Sequence, residues 1–97
     1  MPMYVGLMKL TAKGAGDMKG WPSRVEAAQK TWEAMGGKTV AILATMGQYD
    51  MVTVGEAPND ETVATWVLGV AAQGTMTIET LKGFSVEELG AMLARLP

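Results

Sequence analysis

The segment Thr45-Met46-Gly47-Gln48-Tyr49-Asp50 carries the side chains of this chain that are best suited to chemistry. It lies between two apolar runs rich in β-branched residues, which predicts a short turn joining two strands. A phenol and a carboxylate at the rim of a pocket could donate and accept hydrogen bonds, so Gly47, Tyr49 and Asp50 are candidate ligand contacts. The alternative is turn chemistry alone, with positive φ at Gly47, backbone N–H groups bound by Asp50, and Tyr49 packed over a neighbouring element.

The three tryptophans are the next candidates. Trp32 and Trp66 fall on apolar stripes with helical spacing, which predicts that both lie in the core. Trp21 stands directly before Pro22 in a glycine-flanked stretch, where we expect a loop. A large aromatic side chain in such a loop could cover a pocket or contribute to an interface, so Trp21 is a fourth candidate ligand contact.

Three charged residues fall inside predicted strands, namely Lys9, Glu79 and Lys82. A charge within a sheet can hold an anionic ligand or pair with an opposite charge on the next strand. Because the predicted topology places the first and last strands side by side, we expect Lys9 to pair with Glu79.

Composition excludes several classes of function. The 97 residues carry a net charge of −2, so the chain has no basic footprint for nucleic acid. It contains neither cysteine nor histidine, and its acidic residues lack calcium-loop spacing, so we predict no metal site and no cofactor. The nine methionines are dispersed, as in core and interface packing. With no signal-peptide pattern and no membrane-spanning run, the default expectation is a soluble cytoplasmic protein without a membrane partner.

Hydrophobic periodicity and turn residues predict a β-α-β-β-α-β order followed by one helix. Asp17 is expected to cap a short helical turn through Lys19. Over residues 1–97 this order predicts a single domain with an α+β, ferredoxin-like fold, in which two helices cover one face of a four-stranded antiparallel sheet. The predicted strands span 4–11, 38–46, 51–57 and 75–82, and the predicted helices span 22–35, about 58–73, and a C-terminal stretch opened by the capping box at Ser85.

Neither face of the predicted sheet is polar. An antiparallel sheet with one wet face should alternate apolar and polar residues, and the strands of this chain do not. The face without helices should therefore meet a second copy, giving a homodimer or higher oligomer, with Thr53 as one outward-facing position. The alternative is that the C-terminal helix folds over this face.

The chain resembles the GYD domain family of small bacterial and archaeal proteins, named for a Gly-Tyr-Asp signature. This resemblance implies a fold similar to that of the dimeric α/β-barrel proteins, a group that includes cofactor-independent monooxygenases, isomerases and stress proteins. It brings no established activity. The matching segments, in order, are Tyr4-Val5, Leu10-Thr11, Pro22 with Arg24-Val25-Glu26-Ala27, Gly36-Gly37, Thr45-Met46-Gly47-Gln48-Tyr49-Asp50, Glu56-Ala57-Pro58-Asn59-Asp60-Glu61, Thr80-Leu81 and Phe84-Ser85-Val86-Glu87-Glu88.

These observations favour a small oligomeric protein that binds a small molecule or serves as an assembly or accessory subunit. The alternative is a cofactor-independent enzyme of the monooxygenase or isomerase type, with an apolar pocket between sheet and helices. Trp21, Tyr49 and Asp50 would then be the first residues to test. A third possibility is a subunit that docks on a larger enzyme complex through an apolar face.

Overall fold

A computed structural model describes all residues of the chain, 1–97. It contains four strands and four helices, and most of them begin and end within two residues of the predicted bounds. The elements in chain order are β1 (Met3–Leu10), α1 (Ala12–Ala15), α2 (Trp21–Ala34), β2 (Lys38–Ala44), β3 (Met51–Glu56), α3 (Asp60–Ala72), β4 (Met76–Gly83) and α4 (Val86–Leu93).

The strands form one antiparallel sheet in the order β2-β3-β1-β4. β1 is central, and its Val5 is opposite Val54 of β3 and Leu81 of β4. This strand order confirms the predicted α+β, ferredoxin-like fold. β2 and β4 are the edge strands.

One face of the sheet is covered by α2 and α3, and the core lies between these layers. Along β1 the buried residues alternate, with Tyr4 and Met8 facing the helices. From the helices, Trp32 and Trp66 meet edge to face with ring centroids 5.2 Å apart. Trp32 is buried and Trp66 half-buried, as the helical spacing predicted.

Two glycines allow this close packing. A Cβ on Gly55 of β3 would lie 3.1 Å from the Trp32 ring, so the absence of a side chain lets α2 approach the sheet. A Cβ on Gly6 would lie 2.5 Å from the Thr53 hydroxyl, on the same covered side. The expectation that Thr53 faces outward is therefore wrong. The alternation of side chains along a strand predicts two sets on opposite faces, but it does not tell which set the helices cover. The contacts at Gly6 and Gly55 show that Thr53 belongs to the covered set.

The other face of the sheet, here called the open face, is apolar and uncovered. Side chains alternate along a strand, so the residues between the buried ones point to this side. Leu43 and Leu81 remain 59% and 49% exposed. The register aligns the open-face residues in two rows across the sheet: Leu43, Val52, Leu7 and Glu79 in one, and Ala41, Val54, Val5 and Leu81 in the other.

The C-terminal helix does not cover the open face. α4 contributes no buried residue, and its Leu89 and Leu93 are exposed. The Cα radius of gyration is 14.8 Å, whereas a compact chain of this length has a value of about 12.5 Å. α4 therefore leaves two apolar surfaces without a partner in one chain: its own stripe and the open face of the sheet.

The segment between β1 and α2 differs from the sequence prediction. The Thr11 hydroxyl accepts a hydrogen bond from Gly14 N–H at 3.1 Å and caps the four-residue α1, which the sequence did not predict. Asp17 caps a turn at the predicted place: its Oδ1 accepts Gly20 N–H at 3.2 Å, and Trp21 N–H donates to the Met18 carbonyl at 3.1 Å. This is a single hydrogen-bonded turn and not a separate helix. Trp21 is the first residue of α2 rather than a loop residue.

Candidate functional site

The predicted signature turn is closed by bonds between its two ends. Thr45 N–H donates to the Asp50 carbonyl at 2.9 Å, and the Thr45 hydroxyl donates to the Tyr49 carbonyl at 2.6 Å. Between them Gly47 has a φ of +108°, a region that favours glycine. Gly47 therefore provides the positive φ that the turn requires.

Asp50 fixes this turn to the central strand. Its Oδ2 accepts a hydrogen bond from Leu10 N–H at 2.8 Å, and its own N–H donates to the Met8 carbonyl at 2.8 Å. The turn chemistry expected for Asp50 is thus present, but its partners lie about forty residues away on β1 rather than in the turn. The carboxylate continues the ladder between β1 and β3 beyond the last paired strand residues.

Tyr49 lies on the open face at the end of its apolar rows. Its hydroxyl donates to Glu79 Oε2 at 2.6 Å, and Lys9 Nζ lies 5.4 Å from the ring centroid. The hydrogen bond to Glu79 raises the pKa of Tyr49. The predicted direct pairing of Lys9 with Glu79 is wrong, because Lys9 is opposite Thr77 in the register and Tyr49 lies between the two charges.

A second polar cluster was missed by the sequence reasoning. The buried Tyr4 donates its hydroxyl hydrogen bond to Asp60 Oδ1, and Lys82 Nζ donates to the same oxygen at 3.1 Å. Burial, together with the bond to Asp60, raises the pKa of Tyr4 to about 12, while its partners lower the pKa of Asp60. Of these residues only Lys82 stood out in the sequence, as a charge within a strand, and its partner proves to be Asp60 of α3. The three residues come from distant segments, so no local pattern indicates that they meet.

An apolar cavity of about 90 Å³, partly open to solvent, lies between the helices and the covered face of the sheet. Trp66 and Trp32 line it, and their indole N–H groups are occupied, by the carbonyls of Ala28 (3.0 Å) and Lys38 (3.2 Å). Trp21 and Arg24 also line it. In contrast, Trp21 Nε1 and Arg24 Nε are buried without any hydrogen-bond partner.

The chain is similar to known proteins along nearly its whole length. The family model of the GYD domain matches residues 4–93. The chain belongs to the GYD domain family. Over 94 residues it is 36% identical to the "Glutamine synthetase and cystathionine beta-lyase binding protein" of Thermus thermophilus, covering 96% of this chain and 99% of that one. It is also similar in fold to TTHA0845 from the same bacterium, with a TM-score of 0.57 and 18% identity over 89% of this chain and 96% of that one.

In this GYD domain the four predicted ligand contacts do not form one site. Trp21 lines the cavity on the covered side, whereas Tyr49 contacts Glu79 and Lys9 on the open face. Asp50 bonds to backbone at the end of β1, and nothing approaches within 4 Å of a Cβ built on Gly47. A single small molecule could not contact both Trp21 and Tyr49. A ligand role for each of them stays a prediction.

Two further features bear on what this GYD domain could bind. No three acidic side chains converge where they could hold a metal ion. No helix has the length and apolar character needed to cross a membrane. The open face, the α4 stripe and the cavity remain as surfaces on which a partner or ligand could bind.

Proposed function

We propose that this protein is a non-enzymatic accessory protein that forms a homodimer and binds a larger partner protein. The observation that supports the proposal best is the pair of apolar surfaces that the fold leaves uncovered. The relative from Thermus thermophilus, named as a binding protein for two enzymes, supports the same role. We assign self-association to the open face and partner binding to α4.

The open face suits self-association because the middle of the sheet there carries apolar side chains that no helix covers. Four strands about 4.8 Å apart with about six paired residues each give a face of roughly 400 Å², so two such faces bury at least roughly 800 Å². A specific interface buries at least about 1,000 Å² in total, so residues around the two central rows must also contribute to the contact. Val54 lies in the middle, paired with Val5 on one side and Ala41 on the other. Two copies packed sheet to sheet would remove these residues from water.

α4 suits a groove on a partner. It is an amphipathic helix whose exposed apolar residues Val86, Leu89 and Leu93 recur at helical spacing, while Glu87 and Glu88 lie in its first turn. An apolar groove with basic residues at its rim would accept such a helix. This recognition needs no catalytic group.

Two variants, one of them a matched control, test self-association. Light scattering should give the wild-type protein a mass near twice 10.3 kDa. Val54→Lys should give a monomer, because it places a charge in the centre of the interface. Ala27→Glu, an exposed change on α2, should leave the mass unchanged. A wild-type monomer at micromolar concentration would contradict self-association.

Partner binding is measured with the glutamine synthetase and cystathionine β-lyase of Thermus thermophilus as probes. We expect the wild-type protein to bind at least one of them. Leu89→Glu should weaken this binding by more than tenfold and keep the dimer mass, while Ala27→Glu should bind as the wild type does. Unchanged binding by Leu89→Glu, or no binding of the wild type to either enzyme, would contradict the role given to α4.

A further inference from the structure

Two buried hydrogen-bond donors beside the cavity have no acceptor, Trp21 Nε1 and Arg24 Nε. Such groups are rare in folded proteins, because a donor removed from water without a partner destabilises the fold. Both residues line the cavity beneath α2. They are three positions apart in one helix, so they lie on the same side of α2.

The surrounding donors are already occupied, which makes these two distinctive. Of the three tryptophans, only Trp21 has a free indole N–H. The other nitrogens of Arg24 donate to Asp17 at 3.0 and 3.3 Å and to the Gly14 carbonyl at 3.1 Å. The guanidinium is thus held in place, and Nε is its only nitrogen without an acceptor.

We propose that the cavity binds a small neutral carbonyl compound whose oxygen accepts hydrogen bonds from Trp21 and Arg24. A carbonyl oxygen has two lone pairs and can accept both. The charge of Arg24 is already paired with Asp17, whose Oδ2 lies 3.3 Å away. A carboxylate would therefore bring an unbalanced negative charge into an apolar cavity, whereas a ketone, ester or amide adds none.

Cavity size limits the rest of the molecule. An engineered protein cavity of about 150 Å³ accepts benzene, so a cavity of about 90 Å³ suits roughly four non-hydrogen atoms before its walls adjust. The wall contains Met8, Met51 and Met76, whose flexible side chains can adjust to a bound molecule. The ligand class is thus a short aliphatic carbonyl compound. This inference is independent of the surfaces assigned to dimer and partner.

Three probes of similar size test the assignment: butanone, 2-methyl-1-butene and propionate. All have the same number of non-hydrogen atoms, and they differ in whether one end is a neutral acceptor, an apolar methylene or an anion. Titration followed by NMR of the indole N–H signals should show butanone binding roughly tenfold more tightly than the alkene, which corresponds to two hydrogen bonds that each contribute at the lower end of the usual net range. Propionate should bind most weakly at neutral pH. Equal binding of butanone and the alkene, or tightest binding of propionate, would overturn the proposal.

Trp21→Phe removes the donor and keeps an aromatic ring. It should lower the preference for butanone over the alkene to less than about threefold, while alkene binding changes by less than about twofold, because one of the two donors is gone. Tyr49→Phe is the control, because Tyr49 lies on the open face and does not line the cavity, and it should retain the full preference. An unchanged preference in Trp21→Phe would overturn the proposal.

A measurement on the wild-type protein keeps the test valid if a variant fails to fold. The Trp21 indole proton should shift downfield with butanone and not with the alkene, while the Trp32 and Trp66 indole protons should move little. A Trp21 signal that responds equally to both probes would contradict the proposed hydrogen bond.

Discussion

Asp50 Oδ2 accepts the backbone N–H of Leu10 at 2.8 Å and so joins the signature turn to the end of the central strand. Leu10 is the last residue of β1, and without Asp50 its backbone N–H would have no acceptor. The acidic residue of the signature thus has a structural role in this chain, independent of any ligand.

Removing this carboxylate should therefore destabilise the fold. We expect Asp50→Ala to lower the free energy of unfolding by about 1 kcal/mol, because Leu10 N–H loses its acceptor. Asp50→Asn retains an oxygen acceptor and should lose less. Urea denaturation of the two variants measures the difference, and an Ala variant as stable as the wild type would show that water replaces the bond.

Replacing Gly47 and Gly69 by alanine should change the stability of the protein in opposite directions. The φ of +108° at Gly47 disfavours any side chain, so Gly47→Ala should destabilise the protein by about 1–3 kcal/mol although the space around it is open. Gly69 lies within α3, where a Cβ would likewise meet nothing within 4 Å. Gly69→Ala should therefore stabilise the protein by roughly 0.5–1 kcal/mol. Thermal melts check both, and the same sign for both would contradict the turn geometry.

The Tyr4–Asp60 bond should make stability depend on pH at both extremes. The lowered pKa of Asp60 means that its contribution is present above the ordinary value of 3.8 and is lost as the pH falls through the folded-state pKa. The pKa of Tyr4 is raised from 10.0 to about 12, so its contribution is complete below the lower value and is lost as the pH rises to the higher one.

Tyr4→Phe tests this assignment. The variant should be less stable than the wild type by about 1 kcal/mol at neutral pH, with a smaller loss of stability on going to acid and to about pH 11. Tyr49→Phe gives a second test of the alkaline side, because the hydrogen bond to Glu79 raises the pKa of Tyr49. Urea midpoints from about pH 3 to about pH 11 cover the onset of both transitions. Acid profiles that coincide in wild type and Tyr4→Phe would exclude the pairing.

The helicity of α4 should depend on its cap when the helix is unpartnered. Eight residues make a marginal helix without tertiary packing. The Ser85 hydroxyl accepts Glu88 N–H at 3.0 Å, and Glu88 accepts Ser85 N–H at 3.1 Å. Ser85→Ala should therefore increase amide exchange across Val86–Leu93 severalfold and leave the sheet unchanged. Equal exchange rates would show that packing, and not the cap, holds α4.

The sequence predicted the elements well and the side-chain contacts poorly, for a physical reason. Alternation and helical spacing are local, so the strands and α2 could be identified within two residues of their ends. The capping box at Ser85 was likewise visible because its partners are three residues apart. The bonds from Asp50 to Leu10 and from Tyr4 to Asp60 join residues 40 and 56 positions apart, and no local pattern indicates them.

The candidate site shows the same limit. Trp21 stood out as a large aromatic beside Pro22, and it does line the cavity. The sequence does not show that Trp21 differs from the other two tryptophans. That difference arises because the carbonyls of Ala28 and Lys38 lie within reach of the Trp66 and Trp32 indoles and no acceptor lies within reach of the Trp21 indole. In the sequence, Arg24 stood out only as part of the segment Arg24-Val25-Glu26-Ala27, which resembles the GYD family. Its unpaired Nε becomes apparent only when the partners of its other nitrogens are known.

The β-bulge between Thr39 and Ala41 affects how many copies can join. It interrupts the regular ladder in β2, the edge strand beyond β3, and leaves Val40 as an extra residue at that edge. A distorted edge is a poor template for a further strand. Growth of the sheet sideways from chain to chain is thus discouraged, and an apolar, methionine-rich protein of this kind should form assemblies of fixed size rather than fibres.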